Sequence, residues 1–341
     1  MSKLSYYLEM GSRIRPLKAA PKFFNYLKYK ALSRRAVTSI RRYTPQIASI
    51  LVTIRCNLNC GYCTEAKVRR DNKESWRDKE MDLKTMRRIF SNPLFSDCLL
   101  VDLLGGEPLL VKDLEDIVRF LSRRGHITNT STNGLLLADR IAGLKKAGIS
   151  RINVSLYEAN RALLERDLAR ANKVFPVHNS FVLLRSMIEK EPEKIVETAR
   201  FVRDAGSLSL RFWMYRPMGI DPRPAEITKE SNPAYLDLKR RIEAVAPGFC
   251  LWPEPVHTGK PRKRCPQLWQ RVNCRDAHGT MGICCGTERP LAGPGSCLFD
   301  ADPDTVFNHP TLVEMREKLL DPDCEPPEVC RSCNLLEDPG W

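Results

Sequence analysis

Cys56, Cys60 and Cys63 stand within eight residues, spaced CxxxCxxC, and Tyr62 precedes the last of them. Three thiolates can hold three irons of a 4Fe-4S cube and leave the fourth iron open to an outside ligand. A structural zinc site takes four protein ligands instead, so an incomplete set of three points to chemistry; zinc completed by a distant fourth ligand is the structural alternative. Eight of the other ten cysteines fall in the last 77 residues: Cys265, Cys274, Cys284, Cys285, Cys297, Cys324, Cys330 and Cys333. The chain's odd total of thirteen cysteines, the crowding of these eight and the lack of histidines at zinc spacing favour iron-sulfur ligation over disulfides. A zinc knuckle on Cys330 and Cys333 is the plainer alternative. Cys98 and Cys250 read as small buried hydrophobes.

Positioning the first three thiols requires a strand in front of them. Residues 47–55 supply it, and the same grammar then repeats, with short β-rich runs alternating with amphipathic helical patterns. The strands are expected at 47–55, 98–104, 127–131, 151–156, 179–184 and 209–215. A helix should start near Asp82, and a second, capped by Asp113 and ended by Gly125, carries Leu114, Ile117, Val118 and Leu121 on one face. Further helices are expected at 139–147, stopped by Gly148, then at 158–173, at 192–205 and at 235–245. Six parallel strands with helices outside are too few to close an eight-unit barrel. The expected fold is therefore α/β, an open partial (β/α)6 TIM barrel, with the thiol loop at the active, C-terminal end of its first strand. Prolines cluster beyond Arg216. The expected organisation is a basic helical arm at 1–46, the barrel at 47–216, a linker with one helix at 217–262 and a cysteine-rich domain at 263–341.

The chain has 341 residues, 43% hydrophobic and 28% charged. No apolar run approaches the ~18 residues of a membrane span, and no signal-peptide h-region is visible. A soluble, cytoplasmic protein is expected. The formal charge of +14 is concentrated: residues 1–46 hold eleven Lys and Arg against the single acid Glu9, a net of +10. Such an arm, interleaved with Tyr6, Tyr7, Phe23, Phe24, Tyr26 and Tyr29, suits an anionic membrane surface, a polyphosphate substrate or RNA. It equally suits a solvated basic helix packed across the body.

CxxxCxxC with an aromatic before the last cysteine, after the first strand of a partial barrel, resembles the radical S-adenosylmethionine (AdoMet) superfamily. Gly105-Gly106-Glu107-Pro108 after the second strand agrees, since the family carries a GGE segment there that meets the AdoMet amino group; alone it would be an ordinary turn. The resemblance implies a 4Fe-4S cluster on Cys56, Cys60 and Cys63, with AdoMet on its open iron. It also implies AdoMet contacts near Asn133, at the end of the third strand, and Ser155, at the end of the fourth. Asn133-Gly134 could equally be a plain turn and Ser155 a satisfied strand-end hydroxyl. Arg166 and Arg185 are candidates for the AdoMet carboxylate. Relatives often place an aspartate two residues after that serine; this chain has Tyr157.

The tail resembles the shortened auxiliary-cluster extension called twitch, rather than the longer SPASM form. That implies one auxiliary 4Fe-4S cluster on Cys265, Cys284, Cys330 and Cys333. Cys274, Cys285, Cys297 and Cys324 remain as the alternative of a second. The implied activity is reductive cleavage of AdoMet to a 5'-deoxyadenosyl radical, fed by a flavodoxin or ferredoxin. The radical would take hydrogen from a small polar substrate, a sugar, aminocyclitol or nucleoside, phosphate- or nucleotide-bearing among the options, for dehydrogenation or epimerisation. In an epimerase Cys250 is the candidate hydrogen donor. Peptide modification and sulfur insertion are the alternative activities, and a non-enzymatic iron-sulfur RNA-binding protein is the alternative of another class, with nucleic acid the less expected partner.

Overall fold

The computed structural model describes residues 16–32, 37–71, 80–217, 222–229, 231–253, 265–284, 287, 289–299, 302–330 and 333. Cys285 and the first fifteen residues of the arm lie outside them.

Six parallel strands form where the β-rich runs predict them: β1 (Ile47–Thr53), β2 (Leu100–Gly105), β3 (Ile127–Thr132), β4 (Arg151–Ser155), β5 (Val177–Leu183) and β6 (Ser209–Met214). The sheet does not stop there. β7 (Cys250–Leu251) adds in parallel beyond β6, β8 (Arg271–Cys274) pairs in parallel with β1, and β9 (Met281–Gly282) returns antiparallel on β8. The order is β7-β6-β5-β4-β3-β2-β1-β8-β9, an open, mostly parallel sheet of partial-barrel type. It therefore extends past residue 216, where the prolines suggested that the barrel ends. β7 and β8 are too short for their alternation to register in the sequence.

The helices follow their patterns. Asp82 caps α3 (Leu83–Ile89), its side chain accepting from the Thr85 N–H at 2.7 Å, after a short α2 (Thr64–Asp71). In α4 (Leu114–Arg123) the four residues of the apolar stripe are fully buried. Asp113 departs from its expected role. Its backbone is not extended and its side chain makes no cap for α4; Oδ2 accepts instead from the Leu83 N–H at 3.2 Å, binding α3 to α4. α5 (Leu137–Ala147) ends on Gly148 at φ +88°, the left-handed conformation that glycine adopts without strain. α6 (Arg161–Asn172) starts three residues later than expected, because 158–160 form a tight turn closed by Asn160 Oδ1 on the Tyr157 N–H. α7 (Arg185–Lys190), α8 (Pro192–Asp204) and α9 (Pro233–Val245) follow.

The strands present two unlike faces. Ala48, Ile50, Val52, Val101, Leu103, Ile152, Val154, Val177 and Leu210 face the helices and are fully buried. Strand alternation sends Ser49, Asp102, Asn129, Arg151, His178 and Arg211 to the other, concave side.

Beneath the sheet, α1 (Pro16–Leu32) crosses the N-terminal ends of β1 and β2. Lys22 Nζ donates to the Ser96 carbonyl at 2.6 Å, and Asn25 Nδ2 to the carbonyls of Thr44 and Asp97, each at 3.1 Å. After α10 (Gln267–Gln270) and α11 (Pro303–Phe307), α12 (Pro310–Leu320) buries Arg316, whose guanidinium donates to the carbonyls of Thr38, Leu268 and Phe307. α12 is thereby laced to the segment that precedes β1.

Candidate active site

β1 ends in an irregularity: its register on β2 slips between Leu51 and Thr53, directly before the thiol loop. Such slips re-aim the chain at strand ends next to functional loops. The loop is then pinned from α2. Arg69 Nη1 donates to the Ile54 carbonyl at 2.8 Å and Nη2 to the Leu58 carbonyl at 3.2 Å. Cys56, Cys60 and Cys63 are all partly exposed. Burial pushes the Cys63 thiol up to about 11, helped by the neighbouring Glu65 carboxylate, and raises Cys60 as well, helped by Cys56.

The Gly-Gly-Glu segment is wedged against the same loop. A Cβ on Gly105 would lie 2.0 Å from the Thr53 carbonyl oxygen, and one on Gly106 2.3 Å from that of Arg55, so only glycine permits this approach of backbone to backbone. Glu107 is fully buried. Its Oε1 accepts from Leu109 N–H at 2.9 Å and Thr132 Oγ1 at 2.7 Å, and its Oε2 from Asn133 N–H at 2.7 Å. Burial raises its pKa, and these three donors oppose the rise. The carboxylate thus joins the end of β2 to the end of β3, and the half-exposed part of the motif is the backbone of the two glycines.

Asn133 carries the connection onward. Its Nδ2 donates to Asn57 Oδ1 at 2.7 Å and lies 3.8 Å from Cys56 Sγ, while its carbonyl accepts from Asn160 Nδ2 at 2.6 Å. Asn160 also donates to the Ser155 carbonyl at 2.7 Å, and Ser155 Oγ shares a hydrogen bond with Ser180 Oγ at 3.2 Å. Tyr62 stacks on Tyr157, ring centroids 6.4 Å apart, and meets Tyr215 edge-on at the same distance. Burial raises the pKa of both Tyr62 and Tyr157, with neighbouring thiols adding to the effect. The position where an aspartate was expected therefore holds an aromatic wall beside the thiol loop.

Two other sequence candidates pair with acids on their own helices. Arg166, 69% exposed, pairs with Asp167 at 2.7 Å on the outer side of α6, and Arg185 lies 3.7 Å from Glu189 at the surface. Cys250 is in register with Leu210 on the helix-facing side of the sheet, so alternation turns it into the core and leaves Leu251 in line with Arg211. Burial pushes its thiol up to about 12.

In the tail, Cys330 is buried and its thiol is pushed up to about 12, first by burial and then by the nearby Cys284 and Cys333. The Cys333 N–H donates to the Cys330 carbonyl at 3.0 Å. Cys265 is buried just before α10. Of the alternative set, Cys274 is buried at the end of β8 with Cys297 near it, Cys324 is half-buried, and Cys285 lies outside the described residues. Among the described residues no three cysteine, histidine or acidic side chains stand close enough to share one metal ion. Ligands of a cube each take a different iron and are held further apart than that.

The concave face between these loops has a charge pattern that strand-by-strand reading missed. Arg271 Nη1 donates to Ser49 Oγ and pairs with Asp102 Oδ2 at 3.1 Å, while Asn129 Nδ2 donates to Asp102 Oδ1 at 2.9 Å. Burial lowers the pKa of Arg151 to about 10, with Arg211 and Arg271 contributing, and brings His178 down to about 4 beside Arg151 and Arg211. The polar residues at alternate positions, Arg151-x-Asn153-x-Ser155, His178-x-Ser180 and Ser209-x-Arg211, were the signal: in strands buried on both sides they mark a lined cavity.

An open parallel α/β sheet with three thiols on the loop after its first strand, and a glycine-glycine-glutamate turn packed beneath them, defines a partial-barrel enzyme with a cluster-type donor set. The radical SAM superfamily profile matches residues 50–221, and the chain belongs to that superfamily of enzymes. GTP 3',8-cyclase from Corynebacterium glutamicum is 31% identical over 271 residues, 72% of this chain and 67% of that protein. GTP 3',8-cyclase from Mycolicibacterium smegmatis is 30% identical over 299 residues, 81% and 78% of the two chains. The crystal structure of Streptococcus suis SuiB bound to S-adenosylmethionine superposes with a TM-score of 0.61 over 84% of this chain and 77% of that one, at 16% identity, a likeness of fold. Iron-sulfur and AdoMet binding follow from the family. The donor set fits: three thiols, no fourth in the motif, and an amide N–H within reach of one sulfur. The two sequence relatives are named as cyclases, and they give no support to the expectation of sugar or aminocyclitol dehydrogenation or epimerisation. No helix among the described residues is long and apolar enough to cross a membrane.

Proposed function

We propose that this enzyme takes a hydrogen atom from a phosphate-bearing nucleotide held against the concave face of its sheet. The observation that carries the substrate class is the row Arg151, Arg211 and Arg271, three guanidinium groups against one carboxylate, Asp102, among the described strand residues of that face. Guanidinium forks match phosphate oxygens in pairs. Burial first, and the neighbouring guanidinium groups second, lower Arg151 and His178, and a bound anion would relieve the second of these effects. The relatives named GTP 3',8-cyclase support the same class, and the nucleoside member of the expected substrates is retained over sugars and aminocyclitols.

Cys56, Cys60 and Cys63 would hold the cluster, which with AdoMet bound would supply reductive cleavage of AdoMet and so the hydrogen-abstracting power of the site. The chain's own residues position and shield. Arg69 holds the loop, Gly105 and Gly106 offer backbone to AdoMet, Glu107 and Asn133 fix the strand ends, and the Tyr62, Tyr157 and Tyr215 rings exclude water from the reacting atoms. Cys284, Cys330 and Cys333, with Cys265, hold one auxiliary cluster, and a flavodoxin or ferredoxin is the electron donor.

The test is anaerobic reconstitution followed by equilibrium dialysis and 5'-deoxyadenosine assays with GTP, ATP, a nucleotide-sugar and a free nucleoside. A nucleoside triphosphate should bind and raise 5'-deoxyadenosine formation, and Arg211→Met should weaken that binding about tenfold or more, the loss of one charge-assisted contact. Equal response to the free nucleoside, or none to any nucleotide while AdoMet is still cleaved, would overturn the substrate class.

A further inference from the structure

The outer side of α1 is unlike the rest of the surface. Lys22, Asn25 and Tyr29 face the body and are buried, whereas Phe23 is 55% exposed, Phe24 61% and Leu27 45%. Helical spacing brings 20, 23, 24, 27 and 31 onto one outward stripe, and Lys28 and Lys30 beside it are exposed. Arg41 and Arg42, exposed just beyond, continue a segment whose net charge over residues 1–46 is +10. Two adjacent aromatic rings and a leucine on a helix flanked by cations lose solvation energy in water and gain it in a headgroup layer.

We propose that α1 seats the protein on an anionic lipid surface, with Phe23, Phe24 and Leu27 entering the headgroup region and Lys28 and Lys30 meeting lipid phosphates. Charge complementarity fixes the sign of the partner. The apolar stripe decides between its classes: nucleic acid takes up the charge and can stack on a ring, but it offers nothing to Leu27. Placement agrees. α1 lies at the N-terminal ends of β1 and β2, through Ser96 and Asp97, while the thiol loop leaves the C-terminal end of β1. Docking there leaves the mouth of the site open to substrate and electron donor.

The experiment is co-sedimentation of the full chain with phosphatidylcholine-phosphatidylglycerol vesicles, against pure phosphatidylcholine vesicles, at low and high salt. Binding to the anionic vesicles alone, weakened by salt, is expected. Phe23→Ser/Phe24→Ser should lower the partition constant by at least about tenfold, and Lys28→Glu or Lys30→Glu by about fivefold or more. All four positions are exposed, so the thermal transition of each variant should match the wild type. Absence of binding, binding indifferent to lipid charge, or binding that the phenylalanine double variant retains in full would overturn the proposal. So would tight binding to single-stranded RNA that anionic vesicles do not displace.

Discussion

Asn133 Nδ2 lies 3.8 Å from Cys56 Sγ, although 77 residues separate them, and the same amide holds Asn57 of the thiol loop at 2.7 Å. Hydrogen bonds to ligating sulfurs favour the reduced cluster and raise its potential. A bond worth about 1 kcal/mol more to the reduced state corresponds to about 40 mV for one electron. Asn133→Leu should therefore lower the potential by an amount of that order while iron content stays near wild type. A redox titration followed by electron paramagnetic resonance checks it; an unchanged potential at full iron content would remove Asn133 from the account.

Glu107 is expected to act on stability before chemistry. Glu107→Ala leaves Leu109 N–H, Thr132 Oγ1 and Asn133 N–H without their acceptor in the interior. The cost is about 3 kcal/mol or more, read as a lowered midpoint in urea. A midpoint equal to wild type would mean that the carboxylate is not the joint between β2 and β3.

Gly106→Ala should be felt at the thiol loop. The added methyl would stand 2.3 Å from the Arg55 carbonyl oxygen and 2.5 Å from that of Ile54, and backbone atoms cannot move aside cheaply. Reconstituted Gly106→Ala should hold about four fewer irons than wild type, the content of one cube, while the tail retains its own. Full iron loading would show that the loop tolerates the shift.

His126 supplies a pH dependence. Burial holds its imidazole down at about 3, against the ordinary 6.5, and its Nδ1 donates to the Cys98 carbonyl at 2.8 Å. The unfolded chain takes up the proton first, so this contribution is complete above about pH 6.5 and is lost as pH falls towards about 3. At about pH 5 the loss is about 2 kcal/mol. His126→Asn should flatten the acid side of the stability profile, measured by urea unfolding between neutral and mildly acidic pH; an unchanged slope would contradict the assignment.

Much of this architecture can be read from residue patterns because its signals are local. β1 to β6 are short β-rich runs bounded by turn residues, Gly148 terminates α5, and the thiols are spaced for a cube. What escapes the sequence depends on long-range register. The two residues of β7 turn Cys250 into the core, away from the site. Asp113 accepts from the first residue of a neighbouring helix, a partner 30 residues away in sequence. Arg151, Arg211 and Arg271 come from strands 60 residues or more apart and become one surface only when the sheet curves. Tyr157, read as the loss of an acid, gains meaning from its stacking on Tyr62.

The central claim is that Cys56, Cys60 and Cys63 together hold the cluster that opens AdoMet. The most direct measurement is iron content and 5'-deoxyadenosine yield of the anaerobically reconstituted triple variant Cys56→Ala/Cys60→Ala/Cys63→Ala beside wild type, with dithionite as reductant. The account predicts about four fewer irons in the variant, an unchanged remainder in the tail and no 5'-deoxyadenosine. Continued AdoMet cleavage, or an iron content equal to wild type, would contradict it.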